Sequence, residues 1–566
     1  MAVQPAPQIS LEGSRKSALG QARSRLALIV ATVALVYAAI GGRLVQLAGS
    51  EAPERVRSAS VDLVLSAARP DIVDRNGELL ATDVPSIAIV ADPAVMVDPA
   101  EAVDSLGRVL PEIDRETLLS RFTSDSRFAW VAREVTPPMR DAVHHLGIPG
   151  IAFRDESRRF YPGGPTAAHI LGAVNVDHVG ISGIERMLND TGIRELQTFG
   201  LVGGGEAEAL APVRLSIDLR VQHAVRDELQ QAMQRYSAAA AVGIVMDVTT
   251  GEIVAMVSVP DFDPNNRAEA IDNTRFNRAS DGAFELGSVM KVFTIAAALD
   301  AGAVDVDDSF DARNPIQIGS ARIGDFHGRN RFLTVPEVFI YSSNIGTIRI
   351  AQQLGTPGLR AYFERFHLTT RLDFDINEVA TPVQPREWTA LDAAVASFGH
   401  AMTTTPLQVA AAGAAVINGG TYYPPTLYPR SAEEARAVGE QVLSPEVSAL
   451  MRSMFRLNVE RGSGRRAAAE GFDVGGKTGT AEKIVNGAYD ENVRINSFLA
   501  GFPMSDPRYV VMVTIDEPQP EEGQRYATAG LNAAPTVGAI IRRIGPMLQI
   551  GGGIAGMGDG AVRITY

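Results

Sequence analysis

Three short motifs hold the residues of this chain that could do chemistry. Ser288 and Lys291 stand three apart in Ser288-Val289-Met290-Lys291, Ser342 and Asn344 stand two apart in Ser342-Ser343-Asn344, and Lys477-Thr478-Gly479-Thr480 completes the set. On a helix, positions i and i+3 share a face, so the Lys291 amine comes within reach of the Ser288 hydroxyl. A neutral lysine there would take the serine proton and make the oxygen a nucleophile for acyl transfer. Lysine is scarce in this chain: Lys16, Lys291, Lys477 and Lys483 are the only four among 52 basic residues, the rest being arginine. Arginine keeps its proton at any usable pH, whereas a buried lysine can release it. Two of the four lysines therefore sit where proton transfer or a compact charge would be wanted. Alone, Ser-x-x-Lys is equally a capping serine followed by a solvated lysine, and the other two motifs shift the balance. Ser342 would relay a proton to a leaving group and Asn344 would hold a peptide substrate. Lys477 would supply a positive field, Thr478 and Thr480 would bind a terminal carboxylate, and Gly479 would let substrate backbone come close to an edge strand.

These residues need a scaffold that brings together positions almost 200 residues apart. Ser288 opens an apolar helical pattern over 289–299, which puts its hydroxyl at a helix N-terminus where free backbone N–H groups stabilise negative charge. Residues 221–236 and 406–417 also read as helices, and Ser342 falls at a turn between helices. The segments 241–247 and 252–257 read as a hairpin closed through Gly251, and 495–502 and 509–516 as a second pair of strands. Strands at both ends of a mainly helical insert predict one antiparallel sheet with helices packed on it, an α+β fold with residues 475–480 as an edge strand. Gly203-Gly204-Gly205 and Pro212 mark a join, so 49–205 is expected as a mixed α/β module and 206–545 as the catalytic one, with 546–566 a flexible tail.

With 566 residues, 46% hydrophobic and 21% charged, the chain is long enough for at least two cores. A net charge of −14 and the lack of a basic stripe with interleaved aromatics exclude a nucleic-acid partner. Eight scattered histidines without metal-ligand spacing predict no metal, and no cofactor is expected. The absence of cysteine excludes disulfides and thiol catalysis. Residues 26–42 are charge-free and apolar, and the pattern continues to residue 48 past Arg43. That length suits a single membrane span. Arg15, Lys16, Arg23 and Arg25 precede it, so residues 1–25 are expected in the cytoplasm and everything after 48 outside. A cleaved signal peptide is the rival reading, but the apolar run is longer than a usual signal core and no small-x-small site closes it.

In this order, the motifs resemble those of the serine penicillin-recognising transpeptidases. The N-terminal half resembles the pedestal of the class B penicillin-binding proteins: 69–81, reading Arg-Pro-Asp-Ile-Val-Asp-Arg-Asn-Gly-Glu-Leu-Leu-Ala, is similar to a family segment, as are Arg158-Arg159-Phe160-Tyr161-Pro162 and Gly180-Ile181-Ser182-Gly183-Ile184-Glu185. In that family such residues hold the pedestal together and do no chemistry. Lys483, the segment 529–535 and the short pedestal look most like the division-specific branch, the elongation-specific branch being the alternative. Pro70, Leu286 and His400-Ala401 depart from the usual family residues, and none is a reacting group. The resemblance implies a D,D-transpeptidase of the cell inner membrane that forms an acyl-enzyme on Ser288. Its substrates would be peptidoglycan stem peptides on lipid II-derived glycan strands, and β-lactams would inhibit it. Lys291 would be the base, Ser342 the relay, Asn344 a substrate ligand, and the N–H groups of Ser288 and Thr480 the oxyanion hole. It also implies partners, namely a multi-spanning glycan polymerase of the FtsW type and other division proteins. A hydrolase usually lacks such a pedestal, a bifunctional glycosyltransferase would need more chain, and a pure division scaffold would not need three intact motifs.

Overall fold

The computed structural model describes residues 31–38, 40–41, 69–189, 211–485 and 488–551. The chain divides into one unit up to Ala67 and another from Ala68 onward. In the first, residues 31–38 and 40–41 are helical, and the side chains of Val33, Leu35, Val36, Tyr37 and Ile40 are exposed. Among the described residues no helix is long and apolar enough to cross a membrane. The rest of the expected 26–48 span, the 1–25 tail, the Gly203–Gly205 join and residues 552–566 lie outside the described residues.

The second unit opens with the pedestal. Its strands are β1 (Ile72–Val73), β2 (Leu79–Ala91), β3 (Ala129–Val135) and β4 (Ile151–Phe160), with β2 pairing antiparallel to each of the others. Between them lie α1 (Pro99–Val109), α2 (Arg115–Phe122) and α3 (Pro137–His144). The sequence shows no long helical periodicity here, yet the start signals are present. Asp98 and Asp114 cap α1 and α2 through their side chains, and Pro99 and Pro137 stand in the first turns of α1 and α3. Helices this short carry too few turns for their periodicity to stand out.

The catalytic part begins at β5 (Val213–Arg214), which pairs in parallel with β1 of the pedestal. The 69–81 segment therefore joins the two parts. Asp74 Oδ1 accepts from Asn76 N and Glu78 N, and its Oδ2 accepts from Leu219 N at 3.0 Å, at the start of α4 (Leu219–Tyr236). Arg75 pairs with Glu252 and donates to Ser216 O.

Strands β6 (Ala240–Asp247) and β7 (Ile253–Val259) form the expected hairpin. The helical insert follows, with α5 (Lys291–Asp300), α6 (Val335–Tyr341), α7 (Asn344–Arg365), α8 (Pro406–Ile417) and α9 (Pro445–Arg461). Then come β8 (Gly475–Val485), β9 (Ala488–Phe502), β10 (Tyr509–Asp516) and α10 (Ala533–Met547), which runs two residues past the expected boundary at 545. The sheet order is β8-β9-β10-β6-β7, antiparallel throughout, so β8 is an edge. Alternation with period two divides its side chains between two cores. Val242, Ile244, Val510 and Met512 face the insert, including α5 and α8. Ala241, Val245, Val511 and Val513 face α4 and α10. Sequence-distant ends thus meet in one sheet, with Ser288 and β8 brought to its margin.

Candidate active site

Ser288 lies in a single 3-10 turn, Gly287–Met290, that leads into α5. Gly287 has φ +57, and a Cβ there would meet Thr480 O at 2.5 Å, so the turn lies directly against the backbone of β8. Gly479 makes the same approach from the strand: a Cβ would lie 2.3 Å from Leu286 O and 2.7 Å from Val289 Cγ2. This corrects the sequence reading of Gly479. The close neighbour that demands glycine is the Ser288 turn, and substrate backbone is not what occupies that space. The reason is register, because Gly479 and Lys477 point to the insert side of β8 while Thr478 and Thr480 point to the other.

Lys291 is fully buried at the start of α5. Its Nζ donates to Ser342 O at 2.5 Å, Asn344 Oδ1 at 2.7 Å and Ser342 Oγ at 3.2 Å. The amine is therefore held by the turn between α6 and α7. Among the described residues, Ser288 Oγ makes no hydrogen bond, to Lys291 or to any other group. Burial pushes the Lys291 pKa down to about 7, against a smaller opposing pull from Asp325. Lys477 is also fully buried, with Nζ donating to Ser342 Oγ at 2.9 Å and Thr478 O at 3.0 Å. Burial, reinforced by repulsion from Lys291, holds its pKa well below that of an ordinary lysine. Two amines thus share the Ser342 hydroxyl.

Ser342 can stand between them because it ends α6 in the left-handed region, φ 57. Asp325, which sequence reasoning missed, locks this turn by accepting from Ser343 Oγ at 2.7 Å and Ile345 N at 3.0 Å. Thr478 shares a 2.6 Å hydrogen bond with Ser463 Oγ, and Thr480 Oγ1 accepts from Ala529 N at 3.1 Å. Asn458 Nδ2 donates to Gly476 O at 2.6 Å and closes that end of the strand. Ser463, Asn458 and Asp325 carry no motif of their own, and their partners lie 15 to 20 residues away, so no local spacing signals them.

A cleft of about 630 Å³ opens over these groups, and Ser288, Ser342, Asn344, Thr478 and Thr480 all line it. Lys291, Lys477 and Gly479 lie behind its wall. All eight sequence-predicted residues converge on one place, five facing the cleft and three supporting it. A hydroxyl at a helix start, a lysine with a depressed pKa, a bridging hydroxyl and an edge strand together make an arrangement suited to acyl transfer from a peptide.

Residues 241–542 match the family described as penicillin binding protein transpeptidase domain, and residues 64–191 match the penicillin-binding protein dimerisation domain. The chain belongs to the class B penicillin-binding proteins. It is 40% identical over 496 residues to the probable peptidoglycan D,D-transpeptidase FtsI of Caulobacter vibrioides, covering 86% of this chain and 82% of that protein. It is 32% identical over 548 residues to peptidoglycan D,D-transpeptidase FtsI of Escherichia coli, covering 91% and 90%. Penicillin-binding protein 3 of Mycobacterium tuberculosis in complex with aztreonam has the same fold, with TM-score 0.65 and 23% identity over 86% of this chain and 97% of the other.

Proposed function

We propose that this chain is the peptidoglycan D,D-transpeptidase of cell division, cross-linking stem peptides through an acyl-enzyme on Ser288, and that β-lactams acylate the same serine. The Caulobacter and Escherichia relatives, peptidoglycan D,D-transpeptidases, support the reaction, and their designation FtsI supports the division role. The observation that carries the chemistry is Lys291: a fully buried amine, its pKa near 7, bonded to Ser342 and Asn344 beside the Ser288 turn.

In this mechanism neutral Lys291 accepts the Ser288 proton as Oγ attacks the penultimate D-Ala carbonyl. The backbone N–H groups of Ser288 and Thr480 stabilise the oxyanion, which the abutting turn and strand hold without reorganisation. The proton taken up by Lys291 is relayed through Ser342, which is hydrogen-bonded to both lysines, to the departing D-Ala nitrogen, and the peptide C–N bond breaks. An acceptor amine then attacks the ester, forms the cross-link and returns the proton to Ser288. Thr478 and Thr480, with Lys477 behind them, hold the terminal carboxylate, and Asn344 holds the donor backbone. Incubation with a fluorescent penicillin tests this reading. Label on the peptide containing Ser288, lost in Ser288→Ala, supports it, and label elsewhere overturns it.

The apolar, charge-free run 26–42 supports a single inner-membrane anchor with the catalytic part on the periplasmic side. Glycan strands would then come from a separate multi-spanning polymerase of the FtsW type. A fluorescent fusion with parallel depletion checks the cellular role. Midcell signal with filamentation is expected, whereas sidewall signal with rounding would assign the chain to elongation.

A further inference from the structure

The cleft contains a cation that this reaction scheme does not use. Arg494 on β9 is only 5% exposed, and it lines the cleft that Ser288 also lines. Its guanidinium carbon lies 5.1 Å from the ring centre of Tyr526 and 6.0 Å from that of Phe326. Among the described residues it has no carboxylate partner. Glu482 is its cross-strand neighbour on β8 and also lines the cleft, yet no ion pair joins them. The buried Arg159 of the pedestal, by contrast, is fully ion-paired. Taking a guanidinium out of water is costly unless an anion meets it, and ring faces offset only part of that cost.

Position along the sheet says where the anion would come from. Thr478, Thr480 and Glu482 alternate onto one face of β8, opposite Phe498, Asn496 and Arg494. Arg494 therefore lies two residues, about 7 Å, beyond the Thr480–Asn496 pair. Asn458 and Ser463 close the strand on the Thr478 side. An extended peptide whose terminal carboxylate is held at Thr478 and Thr480 can lie along the edge strand only toward Glu482, which carries its upstream residues past Arg494. Arg465 and Arg466 on the rim of the same cleft are exposed and add to its positive field.

We propose that Arg494 is a specificity residue for the donor, receiving a second free carboxylate that the peptide carries upstream of the scissile bond. The assignment rests on the transpeptidase reading above. Its test compares two donor peptides ending in D-Ala-D-Ala, one with a free side-chain carboxylate on the preceding residue and one with that carboxylate amidated. D-Ala release by the full chain in detergent, with an excess of a free amine supplied as acceptor, gives a kcat/KM ratio of acid to amide peptide. The expected ratio is at least tenfold in the wild type, near one in Arg494→Gln, and intermediate in Arg494→Lys, which keeps charge but loses the planar fork. Because each ratio is internal to one protein, a variant that folds less well still reports it. A wild-type ratio near one, or the same ratio in wild type and Arg494→Gln, overturns the assignment and leaves the transpeptidase reading standing. Absence of release from both peptides by the wild type would instead overturn the transpeptidase reading, and this donor assignment with it.

Discussion

The pedestal and the catalytic cleft both bury cations, and they treat them in opposite ways. In the pedestal, Arg159 has no exposed side-chain surface and meets Glu185 at 2.6 Å, Asp83 at 3.2 Å and Pro70 O at 2.9 Å. Arg69 takes the other Glu185 oxygen at 2.7 Å. Burial works against the Arg159 charge, but the Glu185 and Asp83 carboxylates outweigh it and hold the pKa up. In the cleft, Lys291 and Lys477 are as deeply buried, yet they donate to hydroxyl, amide and carbonyl oxygens and to no carboxylate. Their pKa values fall in consequence. A fixed charge builds the pedestal, and a removable one lies at the cleft. Arginine suits the first because its fork satisfies several acceptors and never deprotonates, and lysine suits the second because desolvation alone can neutralise it.

The contrast can be broken most severely in the cleft. Lys291→Arg retains the charge and removes the base, so acylation by a fluorescent penicillin should fall by about 10²–10⁴-fold. Retained acylation would refute the base assignment. In the pedestal, Arg159→Met leaves Asp83 buried without a cation and Glu185 with Arg69 alone, which should cost about 3–5 kcal/mol in thermal unfolding of the full chain. Arg159→Lys should recover little of this, since one amine cannot reach two carboxylates and Pro70 O together. An unchanged melting temperature in Arg159→Met would mean that the pair contributes no stability.

The two regions should also differ in their response to pH. Lys291 must be neutral to act, and its pKa is lowered to about 7. Penicillin acylation should therefore rise about tenfold from pH 6 and level off above pH 7. A flat profile over that range would show that the amine is already neutral at pH 6 or is not the base. At the small end, Arg360 and Glu364 form an exposed i,i+4 pair on α7 at 2.9 Å. Arg360→Ala should cost no more than about 0.5 kcal/mol in the same unfolding measurement, because water screens the pair.

The sequence alone was enough to name the residues that the fold gathers at the cleft. Ser288, Lys291, Ser342, Asn344, Lys477, Thr478 and Thr480 were legible because acyl transfer needs those residue types at local spacings that a helix turn or a strand can present. The long apolar strands 241–247 and 509–516 were legible for a similar reason, since strands buried on both faces read as continuous hydrophobic runs. The short pedestal helices were harder to see, because they carry cap signals but too few turns of pattern. Tertiary structure decided the remainder. Which face of β8 carries Gly479, how Asp325 and Ser463 brace the motifs, and that Arg494 is buried with no carboxylate partner among the described residues all depend on strand register and on contacts between segments distant in the chain. The pKa of Lys291 belongs there too: the sequence supplies an amine, and only packing removes the water that would keep it charged.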